Sequence, residues 1–446
     1  MGSGGRRHGI GATSISEENI YNKGRDGAQV DWDFLPEDLL ARILSRLPFS
    51  SLIRSRCVCK KWNRLNFSSD FTFSGNLGSK CVPIYFFQGP LRVYNSGTNT
   101  WEKLSLAFLG VQLNTLALLV SAGGLLCFKN RVSGDFIVCN PITKRWRVLQ
   151  LPEGFAHEEI RPPMGDIWAR TPPVPEFSTI HQHHHHQQQR KRETQRAYKH
   201  AMEAYLQAFG RDVIVAILPQ KHDKSFKLLV AGISDGSKRT TLIFDSLTNR
   251  WTVSSEVPRG VRFWESEKTL YCNGYLYCIT WSHGLPKGVC DLESPWSVVR
   301  YNAMDGNWSE YPLSSPGNIL PQLVEHRGRG FVVQRRFKHD KVEISFAELK
   351  EEDPMTLVMF KHWPLDFFPL DPDEARVYVM GDWCVGQGDC FYLARGHRHY
   401  IETQGLPVLA YDLTMDTWTK LPTLRDDFQP SPLWLRTFEA SITASV

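Results

Sequence analysis

Apolar residues recur in two rhythms along this chain, and the change from one to the other falls near residue 80. Between residues 34 and 65 the rhythm is helical. Leu39, Leu40, Ile43, Leu44 and Leu47 repeat at steps of three and four, which places them on one wide stripe of a helix. Pro36 suits the first helical position, where its missing N–H leaves no bond unmade, and Pro48 ends the run. Ser50 is placed to cap a second short helix, and Val58, Trp62 and Leu65 give a third segment an apolar edge. About thirty residues cannot enclose so many apolar side chains, so this unit requires a covering partner.

Beyond residue 80, short runs rich in Val, Ile, Tyr and Phe are separated by clusters of Gly, Pro, Asn and Asp, the punctuation of an all-β unit. One pattern recurs: an apolar strand ending in Tyr, Phe or Cys and then Asn or Asp, a short polar turn, and a second strand opened by Trp. It reads Val93-Tyr94-Asn95 to Trp101, Val138-Cys139-Asn140 to Trp146, Ile243-Phe244-Asp245 to Trp251, Arg300-Tyr301-Asn302 to Trp308, and Ala410-Tyr411-Asp412 to Trp418. The steps between these tryptophans are 45, 105, 57 and 110 residues. The 105-residue step holds a compositional insertion at about 161–210, and the 110-residue step halves at Trp363, which follows the strand-like Val342-Glu343-Ile344-Ser345-Phe346. Six units of about 45 to 57 residues match the period of kelch-type propeller blades. A further strand lies upstream of several pairs, opened by Gly123-Gly124, by Gly274 or by Gly330, and Thr437 to Ile442 is a late strand placed to complete the first blade and close the ring.

The order Leu35-Pro36, Leu39, Ile43, Leu47-Pro48 and Val58-Cys59-Lys60-Lys61-Trp62 resembles the F-box, the adaptor motif of cullin-based ubiquitin ligases. With the repeats that follow, the chain resembles plant F-box/kelch-repeat proteins that carry an F-box-associated domain. Gly123-Gly124 is the double glycine of kelch repeats, and the other openings depart from it. The expected fold is therefore a small all-α F-box unit at residues 31–75 followed by an all-β kelch-like propeller of six blades at 80–446. A disordered tail at 1–30 precedes both. The resemblance implies that Leu35, Pro36, Leu39, Ile43, Leu47, Pro48, Val58 and Trp62 dock a Skp1-like adaptor, which joins the chain to a cullin and a RING protein in an SCF-type ubiquitin ligase. The propeller would then hold a protein substrate that the sequence does not name. Such a subunit is not itself an enzyme. It supplies position, raising the effective concentration of a target lysine near a charged E2.

If each blade is an antiparallel meander of strands A to D, with the Gly-opened strand as B, the Tyr-Asn strand as C and the Trp strand as D, parity puts the B–C and D–A loops on one face. The A–B and C–D turns share the other. The C–D turns are short and uniform. The long loops, namely the 161–210 insertion, Trp281 to Trp296, Pro364 to Pro369 and Arg395 to Gly405, fall on the B–C/D–A face. Trp281, Trp296, Phe367, Phe368 and Arg398 are of the kinds that anchor interfaces, so this is the expected substrate face. A first blade that begins with strand B near Val82 brings the F-box linker in from the opposite face.

Composition narrows the reading further. A balance of 52 basic to 47 acidic residues is a net of +5, mild for 446 residues, which argues against direct nucleic-acid binding. No apolar run approaches the roughly 20 residues needed to span a bilayer, and MGSGGRRHGIGATS has no apolar signal core, so the expected location is nucleus or cytoplasm, away from membranes. The ten cysteines are scattered, mostly in strand-like runs, with no CxxC pair, which fits reduced core residues and neither a metal site nor a cofactor. His181 to Gln189 reads as disordered low complexity, Arg190-Lys191-Arg192 is a short basic cluster, and Ala201, Tyr205 and Phe209 mark a short amphipathic helix. HExxH and GxxxxGK[ST] are both missing from the sequence. Two alternatives stay open: an F-box protein that recruits without degradation in a transcription or chromatin complex, and a propeller enzyme with a helical arm.

Overall fold

A computed structural model of the chain describes residues 35–45, 55, 57–65, 82–85, 91–95, 99–155, 210–211, 213–220, 225–234, 238–264, 269–282, 296–313, 319–326, 328–338, 341–350, 356–364, 383–387, 390–394, 408–423, 435–438 and 446. Helix α1 spans Glu37–Ser45 and helix α2 spans Lys60–Leu65. The Pro36 carbonyl accepts the Leu40 amide at 3.0 Å, so the proline opens the first turn as its chemistry favours. Glu37 and Asp38 in that turn and Arg42 in the last turn both complement the helix dipole. Two contacts tie the helices together: Lys61 Nζ donates to the Leu35 carbonyl at 3.1 Å, and Arg64 pairs with Glu37 at 3.3 Å. Leu47, Pro48 and the expected cap Ser50 lie outside the described residues.

The rest is β. Six antiparallel sheets contact one another in ring order among the described residues. From inner to outer strand, A to D, sheet two is Leu116–Ala122, Leu125–Asn130, Phe136–Asn140 and Arg145–Leu149. Sheet three is Ile214–Pro219, Phe226–Ser234, Arg239–Asp245 and Arg250–Glu256. In sheet four the inner strand is split into Val261–Trp264 and Leu270–Cys272, followed by Tyr275–Ser282, Trp296–Asn302 and Trp308–Pro312. Sheet five is Ile319–His326, Arg329–Lys338, Lys341–Lys350 and Thr356–Pro364. Sheet six is Trp383–Gln387, Cys390–Ala394, Val408–Asp412 and Thr417–Lys420. Sheet one takes its inner strand from the far end of the chain: Leu435–Phe438 pairs with Val82–Tyr85, and Leu91–Asn95 and Thr100–Leu104 complete it. Each inner strand touches the inner strand of the next sheet, and that of sheet six touches Leu435–Phe438, which closes the ring. This is a β-propeller. The closing strand was expected at residues 437–442 and is described at 435–438.

Neighbouring blades cover both faces of a sheet, and the sequence shows it. Strands B and C of sheet two are buried along almost their whole length, whereas the outer strands Arg250–Glu256 and Thr417–Lys420 are mostly open to solvent. Charged side chains on those outer strands keep them from pairing with other chains. At the A–B turn of sheet two, Gly123 and Gly124 take φ of 55° and 81°, and a Cβ on Gly123 would lie 2.8 Å from Pro219 of sheet three. The double glycine is needed there both for the turn and for the approach of the next blade.

The tryptophan repeat also has a physical cause. Counting the Asn or Asp that ends strand C as position i, the side-chain oxygen of Asn140, Asp245, Asn302 or Asp412 accepts the amide at i+2, at 2.8 to 3.0 Å. Position i+4 is left-handed: Asn99, Lys144, Asn249, Gly306 and Asp416 have φ of 54°, 60°, 56°, 76° and 54°. The chain then folds back so that the tryptophan at i+6 stands directly opposite residue i−1. The pairs are Tyr94 with Trp101, Cys139 with Trp146, Phe244 with Trp251, Tyr301 with Trp308, and Tyr411 with Trp418. Trp308 Nε1 donates to Thr241 of sheet three at 3.0 Å, and Trp101 Nε1 donates to the Pro422 carbonyl beyond sheet six at 2.8 Å. These two side chains bond to the preceding blade.

Trp363 is a correction. It does lie in the fifth sheet, but near the end of Thr356–Pro364, opposite Ile344. Nineteen residues separate those partners, against seven in each of the other pairs. It therefore sits at the other end of its hairpin from the five repeat tryptophans and is not a copy of them.

Candidate functional site

The apolar stripe of α1 divides into two lines. Leu40 and Leu44 are fully buried, and with Leu65 of α2 they belong to one apolar cluster with Leu91 of sheet one, Leu106 and Leu109 of the following connection, and Leu116, Leu118, Leu126 and Ile142 of sheet two. Leu39 and Ile43, one residue back along the helix, are exposed, and so is Val58. Pro36 is exposed and Leu35 is half-buried, while Trp62 packs partly buried against the inward cluster and its amide donates to Cys59 Sγ at 3.5 Å. A helix of nine residues thus has one apolar line covered by its own propeller and another uncovered among the described residues.

On the propeller, the strict A-to-D antiparallel order sets the faces. Val82–Tyr85 is the second strand of sheet one, so the chain enters the propeller on the A–B/C–D side. Trp281 and Trp296 are direct partners across strands B and C of sheet four, so the loop between those strands runs from 283 to 295. Trp296 is buried at 2 % exposure. It was expected as a displayed anchor, but its ring belongs to the blade interior, because strand C of a propeller blade is covered on both faces. Phe367, Phe368 and Arg398 lie outside the described residues, as does the interval 156–209. That interval's exit is tied down: Gly210–Arg211 adds a short strand to the edge of Val261–Trp264.

Several charged and thiol groups among the described residues of the propeller serve pairing or packing. In sheet five Arg329 Nε donates to Glu348 Oε1 at 2.6 Å, Arg329 Nη2 bonds the second carboxylate oxygen, and Lys350 Nζ stands 2.9 Å from that oxygen. The Arg329 hydrogen bond, with help from Lys350, pulls the Glu348 carboxyl down to about 2. Near the B–C end of sheet two, burial lowers the Lys129 ammonium, whose Nζ lies 5.8 Å from the Phe136 ring centre. Burial raises the thiols of Cys127 and Cys278 and pushes Cys139 up to about 12, so all three stay protonated in the core. Cys272 and Cys384 are also buried, Cys57 is exposed, and Cys59 and Cys390 are intermediate. Among the described residues no three His, Cys, Asp or Glu side chains converge on a metal-sized site, and no helix is long and apolar enough to cross a membrane.

Sequence reasoning missed the left-handed residue at i+4 in the C–D turns. Its signal was present, since Asn99, Asn249, Gly306 and Asp416 are all residue types that tolerate positive φ and all stand two places before a Trp.

A short pair of helices with an apolar line exposed among the described residues is thus joined to a β-propeller. The F-box domain pattern matches residues 32–66. F-box only protein 6 of Arabidopsis thaliana is 31 % identical over 408 residues, 88 % of this chain and 69 % of that protein. An F-box/kelch-repeat protein of the same plant is 38 % identical over 155 residues, covering 32 % of this chain and 37 % of that protein. Protein UNUSUAL FLORAL ORGANS, also from Arabidopsis thaliana, is 24 % identical over 332 residues, 68 % of this chain and 60 % of that protein. The chain belongs to the plant F-box proteins, with an F-box followed by a β-propeller.

Proposed function

We propose that this chain is the substrate-recognition subunit of an SCF-type ubiquitin ligase, binding a Skp1-like adaptor through α1 and its surroundings and a target protein through loops of a six-bladed propeller. The observation that carries the reading is the divided stripe of α1. Within the segment that matches the F-box, Leu39, Ile43 and Val58 remain exposed although Leu40, Leu44 and Leu65 are buried. Apolar side chains held outward beside a satisfied core are what a partner surface needs. Leu35, Pro36, Leu47, Pro48 and part of Trp62 extend the adaptor contact. Through the adaptor the chain joins a cullin and a RING protein, and the chemistry of transfer occurs on those other chains.

The target is assigned to the B–C/D–A face, with Trp281, Phe367, Phe368 and Arg398 as its anchors. Supporting this is the strand order: in the described sheets strand B ends and strand C begins on the side away from the entry of the chain at Val82. Trp296 is no longer among the anchors. Capture of a Skp1-type adaptor by the full chain, followed by ubiquitin transfer in a reconstituted cullin–RING complex, tests the first half of the proposal. Proximity labelling with the proteasome blocked tests the second: capture of targets is expected to fall when the four anchors are replaced by Ala or Ser. Survival of capture in that variant, with loss on mutating Leu247 and Thr248 of the C–D turn of sheet three, would reverse the assignment of faces.

A further inference from the structure

The C–D turn of sheet two differs from the equivalent turns in one respect. At the tips of the turns in sheets three, four and six, a large apolar side chain stands in solvent: Leu247 is 65 % exposed, Met304 91 % and Met415 68 %. In sheet two, Ile142 occupies the position that Leu247 and Met304 hold, two residues after the capping Asn or Asp, and is 6 % exposed. Its neighbours Pro141 and Thr143 are buried as well. Among the described residues, a turn of the same construction is therefore covered in sheet two and bare in sheets three, four and six.

We infer that the F-box is seated on the C–D turn of the second blade, with Leu40, Leu44 and Leu65 covering Pro141, Ile142 and Thr143, so that helical unit and propeller form one rigid body. Three observations converge. Leu40, Leu44, Leu65 and Ile142 belong to one buried apolar cluster. Apart from Leu40, Leu44 and Leu65, every buried member of that cluster lies between Leu91 and Ile142, in the propeller or its first connection. The strand that receives the chain after the F-box, Val82–Tyr85, begins on the same face as the 140–144 turn. The consequence for the ligase rests on the function proposed above: Leu39, Ile43 and Val58 face away from the seat, so a bound adaptor takes a fixed angle to the propeller, with the B–C/D–A loops on the far side. The target's position relative to the adaptor is then set by blade two and not by the linker at 66–81.

Hydrogen exchange read by mass spectrometry on the full chain tests the seat. Ile142→Asp puts a charge into the covered turn, and Met304→Asp puts the same charge into a bare one. The expected result is at least tenfold faster exchange of the α1 amides in Ile142→Asp, unchanged exchange in sheets four to six, and no change of α1 in Met304→Asp. Unchanged α1 exchange in Ile142→Asp, or equal acceleration in both variants, overturns the inference. If Ile142→Asp accelerates exchange everywhere, Leu44→Ser is read from the other side: faster exchange confined to α1, α2 and residues 140–149 supports the seat, and unchanged exchange at 140–149 overturns it. Adaptor capture by the wild-type chain is a separate readout. Its failure would remove the proposed function and leave the exchange result standing.

Discussion

Replacing Leu39, Ile43 and Val58 together by Ala removes the apolar surface that the F-box keeps outward while leaving its inward packing in place. Full burial of such a side chain is worth about 1.5–3 kcal/mol. Only the part still exposed in the free protein is gained on docking, and that part is 42 % for Leu39, 39 % for Ile43 and 61 % for Val58. Scaling by those fractions gives about 0.6–1.2 kcal/mol for Leu39 or Ile43 and about 1–1.8 kcal/mol for Val58. Since Ala keeps the Cβ, the triple variant is expected to lose about 2–3 kcal/mol of binding, or roughly 30- to 150-fold in affinity. Titration calorimetry against a recombinant Skp1-type adaptor measures this directly. The contrasting pair is Leu40→Ala and Leu44→Ala, which opens cavities in a fully buried site and is expected to cost about 2–5 kcal/mol of stability each. Below its lowered melting temperature that variant is expected to bind the adaptor within a few-fold of wild type. If the triple variant binds within threefold of wild type, or the inward pair loses more affinity than the outward three, the assignment of the two lines of α1 is wrong.

The Glu348 clamp gives a pH signature: because Arg329 holds the carboxyl down to about 2, its contribution is present above the ordinary carboxylate range and is lost as pH falls toward 2. Thermal midpoints between pH 5 and pH 2 are expected to fall more steeply for wild type than for Glu348→Gln, and parallel curves would show that the clamp contributes nothing. Gly306 carries φ of 76°, and a Cβ there would lie 2.7 Å from Ser254 Oγ, which bonds Tyr301 Oη at 2.6 Å across two blades. Gly306→Ala is therefore expected to cost about 1–3 kcal/mol in denaturant unfolding, whereas Lys144→Gly, at φ of 60°, is expected to be neutral or stabilising by up to about 1 kcal/mol.

Which features the sequence revealed follows from how local their causes are. The C–D hairpins were legible because capping residue, turn and tryptophan lie within seven positions, so Asn140 to Trp146 or Asp412 to Trp418 carries its own geometry. The strand parity was legible for the same reason, since short apolar runs and the Gly, Asn and Asp turns that separate them are short-range signals. Trp363 misled because spacing alone was used: at the positions where the repeats have the Asn or Asp cap and the left-handed residue, six and two places before the Trp, it has Leu357 and Lys361, both within a strand. Trp296 misled because an aromatic beside a long loop reads as displayed, although its strand position puts it inside the blade. In the candidate site, the apolar stripe that includes Leu39, Leu40, Ile43 and Leu44 of α1 was visible, but its division was not. Leu39 and Leu40 are adjacent and chemically alike, and which of them faces the propeller depends on packing against a cluster that reaches Ile142, more than a hundred residues along the chain.

That division has a consequence for how substitutions in this segment are read. Leu40 and Leu44 are needed by the fold and Leu39, Ile43 and Val58 are not, yet in a cell warm enough to melt the inward variant, loss of either group is expected to lower adaptor capture, the first by unfolding the F-box and the second by removing the proposed contact. Capture alone therefore cannot separate the two lines, whereas stability can. A change at Leu44 is expected to move the melting temperature and a change at Ile43 to leave it alone, because an exposed side chain gives up little burial when trimmed. The seat on blade two also restricts evolution of the propeller. Turns that end in free Leu247, Met304 or Met415 tolerate polar replacement, while Ile142, built on the same cap-and-turn frame, must stay apolar for as long as the F-box rests on it.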